Sequence, residues 1–292
     1  MNKLHIAIKN RTKLIQSLES IYDVDYYKEQ TFFEKLLLKD KKYPDIYFHQ
    51  GAVNDSALSM VENSTKTIVN SKYIRDEIIK KKRYSTNKID IVYPYINSNT
   101  IYDKQIKKDF RIKYDIPKDT RIIFFTGKDL KQSGITKFFQ IVENLNNENF
   151  KVIIDTDSLQ IETTQTKINK SPIKDKFILL ENYTNKENLF IIADIFILPT
   201  LQKLFIPNIL KAIYFKCAVF SIKSNASSEL LDSFSLIQGD QDPSTPFKVD
   251  ALLLSKDELK KIQKENSEIA QKYTFENSLN NINTIIKNNF DF

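Results

Sequence analysis

The sequence alternates short apolar runs with longer stretches of helical periodicity over almost all of its 292 residues. LHIAI at Leu4–Ile8, DIYFH at Asp45–His49, KTIVN at Lys66–Asn70 and IDIVY at Ile89–Tyr93 have the length and β-branched content of strands. Tyr22–Tyr27 alternates as a strand does. Between these runs, Thr12–Ser20, Thr31–Lys41 and Tyr73–Lys82 read as helices. A second series holds strands at Arg121–Thr126, Phe150–Asp155, Lys176–Leu180, Asp194–Pro199 and Ala218–Ile222. Helices at Thr136–Leu145, Lys186–Ile192 and Pro207–Phe215 are interleaved with them. Strands separated by helices are joined by crossovers and make a parallel sheet.

Residues 97–110 (NSNTIYDKQIKKDF) are polar, lack clear periodicity and read as a linker between the two series. The expectation is an α/β chain of two doubly wound domains with a cleft between them, residues 1–105 and about 106–275, the first of them small. Asp157–Ser171 is polar and reads as a loop. Ser255–Lys272 and Thr274–Lys287 read as closing helices. Ser255 and Thr274 are their N-caps, with Glu258 three residues after the first.

Composition removes several classes of chemistry. There are four glycines, where an average chain of this length has about 7%. Backbone that closely approaches a phosphate, or takes positive φ, usually needs glycine, so a P-loop or a G-x-G-x-x-G fingerprint is excluded. One cysteine, Cys217, excludes an internal disulfide, and two histidines exclude a histidine-rich zinc site. No apolar run approaches the ~18 residues of a membrane span. MNKLHIAIKN reads as a first strand, not a leader, which makes the cytoplasm the expected location. The net charge is +7, of which residues 1–105 hold about +5. That excess suits a solvated basic face, an acidic partner or an anionic membrane surface. No zinc-finger, RRM or KH signature accompanies it, so nucleic acid is not expected. The lysine-rich segments KDKK (39–42) and KKKR (80–83) end two predicted helices, where cations complement the helix dipole. With Phe32, Phe33 and Leu36–Leu38 nearby, the same lysines also suit the inner face of an anionic membrane.

Ligands of open α/β sheets bind outside the carboxyl ends of the strands. That rule selects the loops His49–Gly51, Pro94–Ile96, Gly127–Gly134, Pro199–Pro207 and Ser224–Glu229. GKDLKQSG, Gly127–Gly134, stands between a strand and a helix. Two glycines, Lys128, Lys131 and a helix start with free N–H groups make it a candidate anion site.

TGKDLKQSGITKFF resembles the Gly-Arg…Lys-Gly loop of retaining glycosyltransferases of the GT-B fold, family-four type. Other landmarks follow in that family's order. FRIKYDIP resembles its lead-in, ENYTNKENLFIIADIFILPT its helix and strand, and LFIPNILKAIYFKCAVFSI its Phe-Gly turn and helix. ASSELL resembles its later acidic turn, and the closing helices and the upstream KTIVNSKYIRDEI and IDIVYPYI also fit. The resemblance covers about residues 45–285. It implies two Rossmann-like domains with the last helix (276–292) packing back toward the first, a nucleotide-sugar donor and a glycan, lipid or protein acceptor. It implies no metal and no other cofactor. It implies donor-site roles for Gly127, Lys128, Lys131, Lys203, Lys211 and Glu229, and an active-site role for His49 at the end of DIYFH.

The departures concentrate in the donor site. Lys128 stands for the family's arginine and Ser133 for its lysine. Lys203 and Lys211 stand for two glutamates, and Ile206 and Lys216 for glycines. Lysine has no acceptor, so neither replacement can hold a hydroxyl as a carboxylate does. The amino-terminal glycine loop is replaced by Lys9-Asn10-Arg11. Two readings follow: a glycosyltransferase, and a glycosyltransferase-shaped scaffold or partner-binding protein without turnover.

Overall fold

The computed structural model describes residues 3–27, 43–82, 84–96, 102–239 and 242–291. The chain divides into two compact units, Met1–Asn97 with Tyr273–Phe292, and Ser98–Lys272.

The first unit holds strands β1 (Leu4–Ile8), β2 (Val24–Tyr26), β3 (Ile46–Phe48), β4 (Lys66–Val69) and β5 (Ile89–Ile91). All pair in parallel, in the order β2-β1-β3-β4-β5. The chain therefore reverses direction across the sheet between β1 and β3, the place where such sheets bind ligands. Helices α1 (Lys13–Glu19), α2 (Asp55–Asn63) and α3 (Lys72–Lys82) make the crossovers seen among the described residues. Thr12 Oγ1 accepts from Ile15 N and Asn54 Oδ1 from Ala57 N, which caps α1 and α2. The last helix, Phe275–Asn289, belongs to this unit, capped by Thr274. Its Ile282 and Ile286, one turn apart, join Leu14, Ile15 and Leu18 in the core over β1. Burying each such side chain stabilises by about 1.5–3 kcal/mol.

The second unit holds β6 (Arg121–Thr126), β7 (Phe150–Thr156), β8 (Phe177–Glu181), β9 (Ile195–Leu198), β10 (Ala218–Ile222) and β11 (Leu236–Ile237). They too are parallel, in the order β11-β10-β9-β6-β7-β8, with the switch point between β6 and β9. Helices α4 (Lys104–Lys113), α5 (Ile135–Glu143), α6 (Ile161–Asn169), α7 (Lys186–Ile192), α8 (Pro207–Tyr214), α9 (Thr245–Leu254) and α10 (Lys256–Ala270) surround it. The central strands are buried on both faces, so they read as unbroken apolar runs. Phe124, Phe125, Phe138, Phe190 and Phe196 fill the core.

Asp194, just before β9, ties this unit together. Its carboxylate accepts from Ile122 N at 2.9 Å and from Lys107 Nζ at 2.7 Å, with Arg111 3.7 Å away. Its carbonyl accepts from Ala218 N and from Gln263 Nε2.

Four helices depart from the sequence expectation. The stretch read as a linker contains α4, capped by Asp103, and the polar loop contains α6. Each buries a narrow face, Phe110 with half-buried Ile106 in α4 and Thr164 with Ile168 in α6, and the rest is polar. Helices α2 and α9 occupy segments for which no helix is expected from the sequence. The predicted helix Thr31–Lys41 and the KDKK segment lie outside the described residues.

Candidate functional site

The loops leaving β6, β9 and β10 form the carboxyl edge of the second sheet at its switch point. Gly134 takes φ +87° at the cap of α5, and a Cβ there would lie 1.9 Å from the Pro199 carbonyl oxygen. The β6 loop thus sits directly on the end of β9. Gln132 O accepts from Leu201 N at 3.1 Å and from Thr200 Oγ1 at 3.2 Å, which joins the two loops. The β10 loop is joined to the β9 loop by Asn225, whose Nδ2 donates to the carbonyls of Gln202 and Leu204, both at 2.7 Å. Ala226 N donates to Lys203 O, and Ser227 Oγ accepts from Ile206 N. Three loops distant in sequence are therefore one hydrogen-bonded surface.

Lys128, Lys131 and Lys203 lie exposed on it. Among the described residues, none of their ammonium groups has a hydrogen-bond or ion-pair partner. Ser133 is buried, and a Cβ on Gly127 would meet its Oγ at 1.9 Å, so this residue fills the turn and adds no charge. Glu229 is exposed in the 3-10 turn Ala226–Leu230, which Asn225 caps.

Within the loop, the N–H groups of Gln132, Ser133, Gly134 and Ile135 donate to Asp129, Asp129, Lys131 and Leu130. Leu130 N donates to Gln160 Oε1 at 2.8 Å, and Gln160 Nε2 returns a bond to Lys128 O. The loop is held by its own turn and by α6. Lys211 differs from its three neighbours: its Nζ pairs with Glu187 of α7 at 2.8 Å. Because each partner is about one-third exposed, the pair contributes only a few tenths to about 1 kcal/mol. Lys211→Glu should lower the unfolding free energy by an amount of that order, and Glu187→Lys likewise. The double exchange should recover most of the loss, which a double-mutant cycle measures.

His49 lies in the first unit, just past β3, and is 4% exposed. Its Nε2 stands 3.1 Å from the Gly51 carbonyl, which can only accept, so Nε2 carries the proton. Nδ1 then accepts from the Tyr47 hydroxyl at 3.0 Å. Burial holds the imidazole below the usual histidine pKa, against the opposing pull of the Gly51 carbonyl and Glu77. The unfolded chain binds the proton more readily, so this stability is fully present above the usual histidine pKa. It is lost as pH falls below that value toward the lower folded one. Urea midpoints at pH 7.5 and 5.5 should show this loss in the wild type and a flatter profile in His49→Gln.

Two lysines of the basic segment at the end of α3 are engaged in the fold. Lys82 pairs with Glu62 at 2.9 Å, while Lys81 pairs with Glu77 and donates to Val53 O. Among the described residues, no cluster of three or more His, Cys, Asp or Glu could hold a metal ion. No helix among them is long and apolar enough to cross a membrane.

No protein-family model and no curated protein sequence matches the chain. Solved structures do. HepE of Anabaena, in complex with UDP, superposes with a TM-score of 0.75 at 9% identity, over 99% of this chain and 100% of that one. WaaG, a glycosyltransferase involved in lipopolysaccharide biosynthesis, gives 0.68 at 11% identity, over 97% and 99%. A glycosyltransferase from Rickettsia africae gives 0.70 at 15% identity, over 94% and 79%. With its two parallel-sheet units of five and six strands, the chain has the GT-B fold of these glycosyltransferases.

Proposed function

We propose that the chain binds a nucleotide sugar through its diphosphate at the carboxyl edge of the second sheet. It transfers the hexose, with retention, to a glycan, lipid or protein acceptor. The observation that carries this reading is the set of three unpartnered ammonium groups, Lys128, Lys131 and Lys203, on two loops hydrogen-bonded to each other. Breaking the bond between the sugar and the diphosphate leaves negative charge on the leaving phosphate. Fixed cations beside that charge stabilise it as it develops. Each charge-assisted hydrogen bond they make is worth about 1.5–3 kcal/mol. Glu229, on the adjoining loop, supplies an acceptor for a hydroxyl of the donor. His49 takes no acid–base part in this reading, because both ring nitrogens are already engaged. Support comes from HepE, which has been solved with UDP and with UDP-glucose.

One observation favours the second reading, binding without turnover. Lys211 is neutralised by Glu187 and is not left to meet a ligand. Incubation with UDP- and GDP-sugars, with detection of released nucleoside diphosphate, separates the two. Repeated release per protein molecule is the result expected of the enzyme. Binding seen by calorimetry with no release would assign the scaffold role, and absence of both would remove the proposal.

A further inference from the structure

The amino-terminal edge of the second sheet, opposite the loops described above, carries a separate concentration of positive charge. A groove of about 830 Å³ lies there between α4, the turn after it and the start of β6, with Asp194 in its wall. Asp194 pairs with two of its cations, Lys107 at 2.7 Å and Arg111 at 3.7 Å. Arg111 is further fixed by the carbonyls of Pro117 and Thr120. Four more cations line the groove, Lys104, Lys108, Lys118 and Arg121, together with a second carboxylate, Asp115. Among the described residues, none of these four side chains has a hydrogen-bond or ion-pair partner.

Unpaired like charges around one concavity repel, and concave walls concentrate their field. Burial draws the Arg111 pKa down and the charge of Arg121 adds to the lowering, while Asp194 and Asp119 oppose it. A single monovalent anion can meet only part of this set. A ligand with several phosphate oxygens can meet an arginine fork and three lysines at once. Tyr102 and Ile112, exposed by 38% and 71%, give the same groove an apolar border for an organic moiety.

The geometry points to a binding site in this groove for a soluble organic compound carrying two or more phosphate groups, distinct from the proposed donor surface. Its charge comes from α4, Lys118 and Arg121, whereas the donor lysines project from the opposite ends of the strands.

The test uses inorganic tripolyphosphate as the probe, titrated calorimetrically into the full chain. Binding with a midpoint in the micromolar range is expected. It should weaken at least tenfold in Lys108→Ala with Lys118→Ala, two exposed positions whose loss leaves the core intact. One control pair should leave it within twofold: Lys256→Ala with Lys260→Ala on α10. Because the proposed donor surface also attracts phosphate, the titration is repeated in a Lys128→Ala, Lys131→Ala background, where binding at the groove should persist and should still weaken tenfold with Lys108→Ala and Lys118→Ala. Thermal midpoints without probe verify that each variant is folded. Equal weakening in the α10 pair would show diffuse charge and overturn the assignment. Loss of all binding in the Lys128→Ala, Lys131→Ala background would place the anion at the donor surface alone, with the same consequence. So would no binding at millimolar probe, including the case in which the protein sediments with phosphatidylglycerol vesicles but ignores the free anion.

Discussion

Asp194→Ala is expected to cost the second unit about 3–5 kcal/mol, because it removes a buried carboxylate and leaves part-buried cations without their counter-charge. The carboxylate is almost wholly enclosed and serves both Ile122 N on β6 and Lys107 on α4. Removing it leaves Arg111, 12% exposed, with only the carbonyls of Pro117 and Thr120, and orphans a backbone N–H at the edge of the central strand. Asp194→Asn keeps an acceptor for Ile122 N and loses only the charge, so it should cost less. Urea unfolding followed by circular dichroism measures both. A loss below about 1 kcal/mol for the alanine variant would mean that α4 is not held to the sheet by this contact.

Gly134→Ala should be nearly as damaging, for a different reason. The residue holds φ +87°, which costs an L-residue about 1–2 kcal/mol, and its Cβ would collide with the Pro199 carbonyl. A backbone oxygen on a strand end cannot swing aside as a side chain can, so the β6 loop must shift away from the β9 loop. A total loss of about 2–4 kcal/mol is expected, with a fall in nucleotide affinity because Lys131 and Lys203 would no longer share one surface. An alanine variant of unchanged stability would show that the two loops are not so closely seated.

Much of the fold was legible because buried parallel strands are apolar on both faces. RIIFFT, FKVIID, DIFILP and AVFSI stand out in the sequence, and strands are found at all four. Ser255 and Thr274 were legible as caps, since capping is local, and each accepts from the N–H three residues on. Helices α4 and α6 were not legible. A short surface helix needs only one or two buried side chains, and Phe110 or Ile168 among charged neighbours makes no visible period.

The place where the loops meet was legible, and their wiring was not. Strand ends point to the loops at Gly127, Pro199 and Ser224, and the loops do converge. What joins them are contacts between residues far apart in sequence, and each residue was unremarkable in the linear chain. Gln160 reaches the β6 loop from 30 residues away, and Asn225 reaches Gln202 and Leu204. The pairing of Lys211 with Glu187 was hidden for the same reason. One signal pointed toward it: two lysines stand where the resembled family has carboxylates, and a buried or half-buried charge tends to acquire a partner.

The proposed donor role places the diphosphate of a nucleotide at Lys128, Lys131 and Lys203. Calorimetric titration of UDP and GDP into the wild type and into Lys128→Ala with Lys131→Ala measures this most directly. The wild type should bind at least one of the two below millimolar concentration. The double variant should lose tenfold or more, while Lys108→Ala with Lys118→Ala, at the other edge of the sheet, should bind as the wild type does. Equal affinity in the wild type and the Lys128/Lys131 variant, or no binding of either nucleotide at millimolar concentration, would contradict it.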